Sequence, residues 1–229
     1  MKLKQNSIYG LLILVITLIT SLSPVPAKAG GLPVDIDGNS YFFVTMGKKV
    51  WMRDNLNVSR YRNGDHIRKA NTNEEWLDAA SKGQGAWCYY KNNPANEKKY
   101  GKLYNWYAVN DPRGLAPSGW HLPNHEDLKS VATVLAGESA REEQKSPAAS
   151  IWRYPALAVD EGIHFHAEAG GIREAGDTFN FLGEDACLWS TSEQSSAHAW
   201  YGQFNFQNST IKITGLDKKA GASVRCIRD

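Results

Sequence analysis

The sequence predicts an α+β domain, and three observations carry that reading. Residues Leu115 to Gly137 hold a turn, a short extended run, a capped helix and a glycine stop within one stretch. The chain after Gly170 is a series of short apolar runs broken by Gly, Asn and Ser, which suits antiparallel strands joined by tight turns. All eight Trp lie after residue 29, so the folded part is heavily aromatic and long enough to bury one sizeable core.

The start of the chain reads as a leader. Lys2 and Lys4 precede an apolar run from Ile8 to Leu22; Pro24, Pro26 and Ala27-Lys28-Ala29 follow. A charged start, an apolar middle and a small-x-small site predict a signal peptide over residues 1–29 and a domain over 30–229. The apolar run is short of the ~20 residues that span a bilayer. Export to the periplasm, the cell surface or the medium is expected. Removing Lys2, Lys4 and Lys28 takes the net charge from +2 to −1, so nothing favours nucleic acid as a partner. After Ala29 no apolar run is long enough to cross a membrane.

Asp35-Ile36-Asp37-Gly38-Asn39-Ser40 reads as a turn. It lacks the terminal Glu and full length of a calcium loop, so its acids are expected to be turn formers. Tyr41–Thr45 and Val50–Met52 predict a hairpin around Met46-Gly47-Lys48-Lys49. Asp54 to Asp65 is polar loop and contains the sequon Asn57-Val58-Ser59; Asn208-Ser209-Thr210 is a second sequon. Asn73–Lys82 predicts a helix capped by Asn71 or Asn73, with Trp76, Leu77 and Ala80 inward. Ala86–Lys91 reads as a strand and Asn92–Glu97 as a loop. Gly101–Val109 reads as a short helix with Leu103, Trp106 and Tyr107 on its apolar side.

Pro117-Ser118-Gly119 is turn chemistry. Pro123 biases Leu122 toward extended geometry. Asn124 is a good N-cap, and Asp127 places a carboxylate in the first turn. Leu128, Val131, Ala132 and Leu135 form one apolar face, and Gly137 predicts the stop. Glu138–Ser150 is expected to be an exposed connection. Ile163–Ala167 alternates apolar residues with His. Strands are expected at Thr178–Leu182 and Cys187–Thr191, a hairpin at Ala199–Phe206 and Thr210–Thr214, and a closing strand at Ala222–Ile227.

Several blocks resemble a known family. They are Asp35-Ile36-Asp37-Gly38-Asn39, then Val50-Trp51-Met52 with Asn55-Leu56, then Gly101-Lys102-Leu103-Tyr104-Asn105-Trp106-Tyr107-Ala108-Val109 and Pro117-Ser118-Gly119-Trp120-His121-Leu122-Pro123. Leu188-Trp189-Ser190-Thr191-Ser192-Glu193, Ala199-Trp200-Tyr201 and Ser223-Val224-Arg225-Cys226-Ile227-Arg228-Asp229 follow in order. Together they resemble the Fibrobacter succinogenes major paralogous domain family of exported bacterial proteins. The resemblance implies a C-type lectin-like fold akin to that of formylglycine-generating enzymes, with two or three helices and short antiparallel strands; it implies no established activity. The family usually carries Cys where this chain has Ala116, which argues against a bridge from there to Cys226.

The candidate chemistry is sparse. Cys187 and Cys226 lie in strand-like runs near the C-terminus and form the favoured disulfide, against the alternative that Cys88, Cys187 and Cys226 are all reduced. His164 and His166 share one strand face, a metal-ligand spacing, but a third donor is not evident. His121 and His125 lie on either side of the Asn124 cap and do not share a helix face. Calcium-dependent sugar binding is disfavoured, because Asn93-Pro94 lacks a preceding Glu and no Trp-Asn-Asp run exists. Trp189, Glu193, Trp200, Tyr201 and Asn205 are the candidate ligand-binding residues: aromatic faces stack on sugar rings and polar side chains fix hydroxyls. The competing reading is that these aromatics are core. No catalytic residue and no cofactor is expected. The expected function is an exported, non-catalytic binding or surface-interaction module, with a glycan or a cell-surface protein as partner. An exported enzyme related to the formylglycine-generating type and a structural envelope protein are the alternatives.

Overall fold

The structure is a computed structural model that describes residues 31–145, 165, 168–205 and 211–229. Its order begins with β1 (Phe43–Met46), β2 (Lys49–Met52), β3 (Arg68–Lys69), α1 (Asn73–Ser81) and β4 (Ala86–Cys88). Next come α2 (Glu97–Tyr100), β5 (Leu103–Asn105), α3 (Trp106–Val109) and α4 (His125–Lys145). The second half is β6 (Gly170–Arg173), β7 (Phe179–Leu182), β8 (Asp185–Glu193), β9 (His198–Asn205), β10 (Ile211–Asp217), β11 (Gly221–Ala222) and β12 (Ile227–Arg228). Residues Leu32–Asp229 form one compact unit. The mixture of helices with mostly antiparallel strands is α+β, as expected; the described residues hold four helices, of which α2 and α3 are single turns.

Among the described residues the strands form three sheets, ordered β1-β2-β12, β10-β9-β8 and β3-β4-β5-β11-β6-β7. The first joins the two ends of the domain, since β12 pairs antiparallel with β2 through Ile227↔Trp51 and Arg228↔Val50. The β1–β2 turn follows the sequence reading, with Gly47 supplying the positive φ of 62° that the turn needs.

The helix α4 is where local sequence and packing agree best. The Asp127 N–H donates to Asn124 Oδ1 at 3.0 Å, and the Asn124 N–H donates back to Asp127 Oδ2 at 2.9 Å, a reciprocal cap. Leu128, Val131 and Leu135 enter a core with Val44, Met46, Trp51, Ala186, Leu188, Phe204 and Ile227, so α4 is held between the β1–β2–β12 and β8–β9–β10 sheets. Gly137 does not end the helix, which continues to Lys145 through much of the expected connection. Gly137 is exposed and a Cβ there would meet nothing within 4 Å, so no contact forces the chain to turn.

Three other expectations are corrected. The α1 cap is Thr72, which accepts from the Glu75 N–H, and Leu77 is 41% exposed while Ala79 is buried. A nine-residue helix has only a narrow inward face; Trp76 anchors it and points Leu77 outward. Gly101–Val109 splits into β5 and α3 because Asn105 Oδ1 accepts from the Ala86 and Ala108 N–H groups, ending a strand and capping a helical turn with one side chain. Asp35 behaves as a turn former: its carboxylate accepts from the Asp37 and Asn39 N–H groups and the Tyr41 hydroxyl.

The core also contains charge. Arg225 is fully buried; its Nε donates to Asn55 Oδ1 at 3.0 Å and its Nη1 to the Phe165 carbonyl at 2.7 Å. Nearby, burial pushes the Glu168 carboxyl up to about 7, with Arg225 partly opposing and Asp54 adding to the rise. The folded chain therefore prefers this acid protonated. Its contribution is complete below about 4.5, the ordinary Glu value, and is lost as pH rises through about 7. Denaturation midpoints measured across that window should fall less steeply for Glu168→Gln than for the parent; identical slopes would show that Glu168 does not titrate there.

Candidate functional site

The five residues expected to bind ligand are spread along the β8–β9 hairpin rather than gathered. The register pairs Asp185↔Asn205, Trp189↔Tyr201 and Glu193↔Ala199. At about 3.3 Å per strand residue, the six steps of β9 from Asn205 to Ala199, the partner of Glu193, put Asn205 and Glu193 about 20 Å apart along the hairpin. Trp189 is fully buried and its indole Nε1–H donates to the Tyr104 carbonyl at 2.8 Å. Tyr201 is 7% exposed, packs edge-on against Trp189 and donates its hydroxyl to Gln203 Oε1 at 3.1 Å. These two are core, because paired residues share a face of the sheet and that face points inward. Asn205 and Gln203 both donate to the buried Asp185 carboxylate.

Glu193 and Trp200 lie toward the other end of the hairpin, and each has a partner. The Lys218 ammonium donates to Glu193 Oε1 at 2.8 Å and sits 4.7 Å from the Trp106 ring centroid. Trp200 is half-buried, and the His125 ring stacks on it with centroids 4.1 Å apart and planes 13° apart. One Trp200 face is therefore already covered. Of the five candidates, Trp189 and Tyr201 thus follow the competing reading that the aromatics are core.

A pocket of about 290 Å³ lies elsewhere, between the end of α3 with the loop that follows it, the loop that carries Arg62 and the turn leading into α4. Val109, Leu115, Ala116 and Leu122 supply its apolar lining, and Arg62, Asn110, Asp111, His121 and Thr191 its polar groups. Long-range backbone bonds assemble it: the Arg62 N–H donates to the Gly114 carbonyl at 2.8 Å, and the Thr191 N–H to the Pro123 carbonyl at 2.9 Å. His121 is fixed by reciprocal backbone bonds with Ile227 at 3.0 and 2.8 Å. Gly114 has φ +73°, and a Cβ on it would come within 2.7 Å of Arg62 Nη2. Glycine there lets the guanidinium lie against the backbone.

The charges in the pocket are unequal. Arg113 donates to both carboxylate oxygens of Asp111, at 2.9 and 2.8 Å, and holds that carboxyl below its ordinary value. Arg113 also covers the Tyr61 ring at 3.9 Å. Asp111 is thus neutralised from outside. Arg62 makes no side-chain hydrogen bond or ion pair to any described residue, which leaves its positive charge facing the pocket. Sequence reasoning missed this site because Arg62 sits in a polar loop far from residues 109–122. The one local signal was the turn-forming Asp111-Pro112-Arg113-Gly114 run.

All three cysteines are free and buried, so the expected Cys187–Cys226 bridge is not formed. The Cys187 carbonyl accepts from the Ser223 N–H and the Cys226 carbonyl from the Met52 N–H, which ties the two backbones to different neighbours. Burial raises all three thiols, Cys88 to about 11. His164 and His166 lie outside the described residues. Among the described residues, no group of three or more His, Cys, Asp or Glu side chains is arranged to hold a metal ion, and no helix is long and apolar enough to cross a membrane.

A family model, the Fibrobacter succinogenes major domain, matches residues 44–228. No curated protein matches the chain.

Proposed function

The chain belongs to the Fibrobacter succinogenes major domain family, and from that membership we propose that it is an exported, non-catalytic binding module on a C-type lectin-like scaffold. Its ligand is a carboxylate-bearing glycan held in the Arg62 pocket. The fold reading is supported by the closure of the domain on itself through β2 and β12, with one long helix seated between two small sheets. Export is supported by the leader-like residues 1–29.

One observation carries the ligand class: among the described residues Arg62 has no ion-pair partner, and the one acid that lines its pocket, Asp111, is already bound by Arg113. A guanidinium recognises a carboxylate with two parallel hydrogen bonds. The apolar lining suits the C–H face of a sugar ring, and Asn110, His121 and Thr191 offer groups for hydroxyls. The enzyme alternative is less supported. A nucleophilic or copper-binding cysteine works as thiolate, and burial pushes Cys187 and Cys226 the other way.

Titration of the purified chain with uronic-acid oligosaccharides and with their neutral counterparts tests this. The acidic series should bind, and Arg62→Ala should weaken it about 10- to 100-fold, as loss of one charged hydrogen-bonding partner implies. Equal binding of the neutral series, or full affinity in Arg62→Ala, would remove the proposal.

A further inference from the structure

Among the described residues Lys102 and Lys218 are the buried lysines, and Lys102 is the one whose ammonium meets a side-chain amide. Its side chain is 3% exposed, and it sits just before β5, under the Trp87 ring at 4.7 Å and the Tyr89 ring at 5.8 Å. Its Nζ donates to the Asn57 carbonyl at 2.6 Å and to the Asn57 side-chain Oδ1 at 2.7 Å. It also lies 3.3 Å from Glu97 Oε1. The Asn57 Nδ2–H₂ donates to that same Glu97 oxygen at 3.2 Å. An amine, a primary amide and a carboxyl group therefore touch one another in pairs.

From this geometry we propose that Lys102 and Asn57 join in an intramolecular isopeptide bond, with Glu97 carrying the proton between them. The neutral Lys102 amine attacks Asn57 Cγ, forming the Nζ–Cγ bond. Glu97 takes a proton from Nζ and delivers it to Nδ2. The Cγ–Nδ2 bond then breaks and ammonia leaves. No atom changes oxidation state and no co-reactant is required. A structural Lys–Glu pair would not need an amide placed between its members. Here the Lys102 hydrogen bond polarises the amide carbonyl, and one carboxylate oxygen reaches both the attacking and the leaving nitrogen. Fixing the groups in contact removes the entropic part of the barrier to amide exchange. Burial, the largest influence on Lys102, lowers its pKa and favours the neutral amine, with Glu97 opposing. The bond would span 45 residues and tie the loop after β2 to β5. The same Asn57 nitrogen is the acceptor atom of the Asn57-Val58-Ser59 sequon, so cross-linking and glycosylation there exclude each other.

The test is the mass of the purified folded chain, with its first residue identified by N-terminal sequencing. The wild type should be lighter than its sequence by one ammonia. Trypsin should release Asp54–Arg60 joined to Tyr100–Arg113, with Lys102 uncut. Lys102→Arg and Glu97→Gln should each restore the full mass, and the circular dichroism of Glu97→Gln should match the parent. A folded wild-type chain of full mass, cleaved normally after Lys102, would overturn the proposal. Loss of ammonia persisting in Glu97→Gln would overturn the role given to Glu97.

Discussion

Arg225→Met is expected to lower the unfolding free energy by about 3–5 kcal/mol, the cost of removing one member of a buried charged network. Methionine fills much of the space but donates nothing. It strands Asn55 Oδ1 and the Phe165 carbonyl, and it removes a longer contact at 3.5 Å to the Met52 carbonyl. Asn55 is itself a junction: its amide donates to the Tyr100 carbonyl at 3.0 Å and to Ser223 Oγ at 3.2 Å. The pair therefore holds together the loop after β2, Phe165 and the end of the chain. Burial lowers Arg225 only to about 10, so the guanidinium is charged at neutral pH and its partners face a real charge. A loss of this size is a large share of the 5–15 kcal/mol typical of a domain. Urea denaturation at constant m-value would measure it. Adding Glu168→Gln should recover part of the loss, because one of the carboxyl groups near the vacated guanidinium is then neutral. A loss below about 1 kcal/mol would mean that water reaches these acceptors.

That network also shows where the sequence stopped being readable. Ser223-Val224-Arg225-Cys226 looks like any closing strand, and an arginine within it looks like a surface residue. Its burial depends on acceptors 60 or more residues away. Features set by neighbours were legible: the Asn124–Asp127 cap, the apolar face of α4 and the Gly47 turn all follow from residues within one turn of each other. The Gly137 stop failed for a local reason. A glycine ends a helix only where leaving it gains something, and Glu138 to Lys145 is rich in good helix formers. A single exposed glycine costs about 1 kcal/mol, which such a run can carry. On α1 the inward face is narrow, so Trp76, Ala79 and Ala80 fill it and Leu77 is left exposed. The Arg62 pocket was not legible because it is built by hydrogen bonds between loops separated by some fifty residues, with no periodic pattern to mark either loop.

Trp189→Ala should cost about 3–5 kcal/mol, as emptying a filled aromatic site does, whereas Trp200→Ala should cost about 1 kcal/mol. The two tryptophans sit on adjacent antiparallel strands, and composition treats them alike. Register separates them. Trp189 pairs with Tyr201 on the inward face, so Trp200, one residue earlier, must point the other way. Losing Trp189 opens a cavity, removes the contact with Tyr201 and leaves the Tyr104 carbonyl without its indole donor. Losing Trp200 forfeits mainly its stack on His125, an aromatic contact of about 0.5–1.5 kcal/mol. Paired thermal melts would show this as a large gap between the two variants. Equal losses would mean that the hairpin is shifted by one residue from the register described, and with it every assignment of inward and outward side chains along β8 and β9.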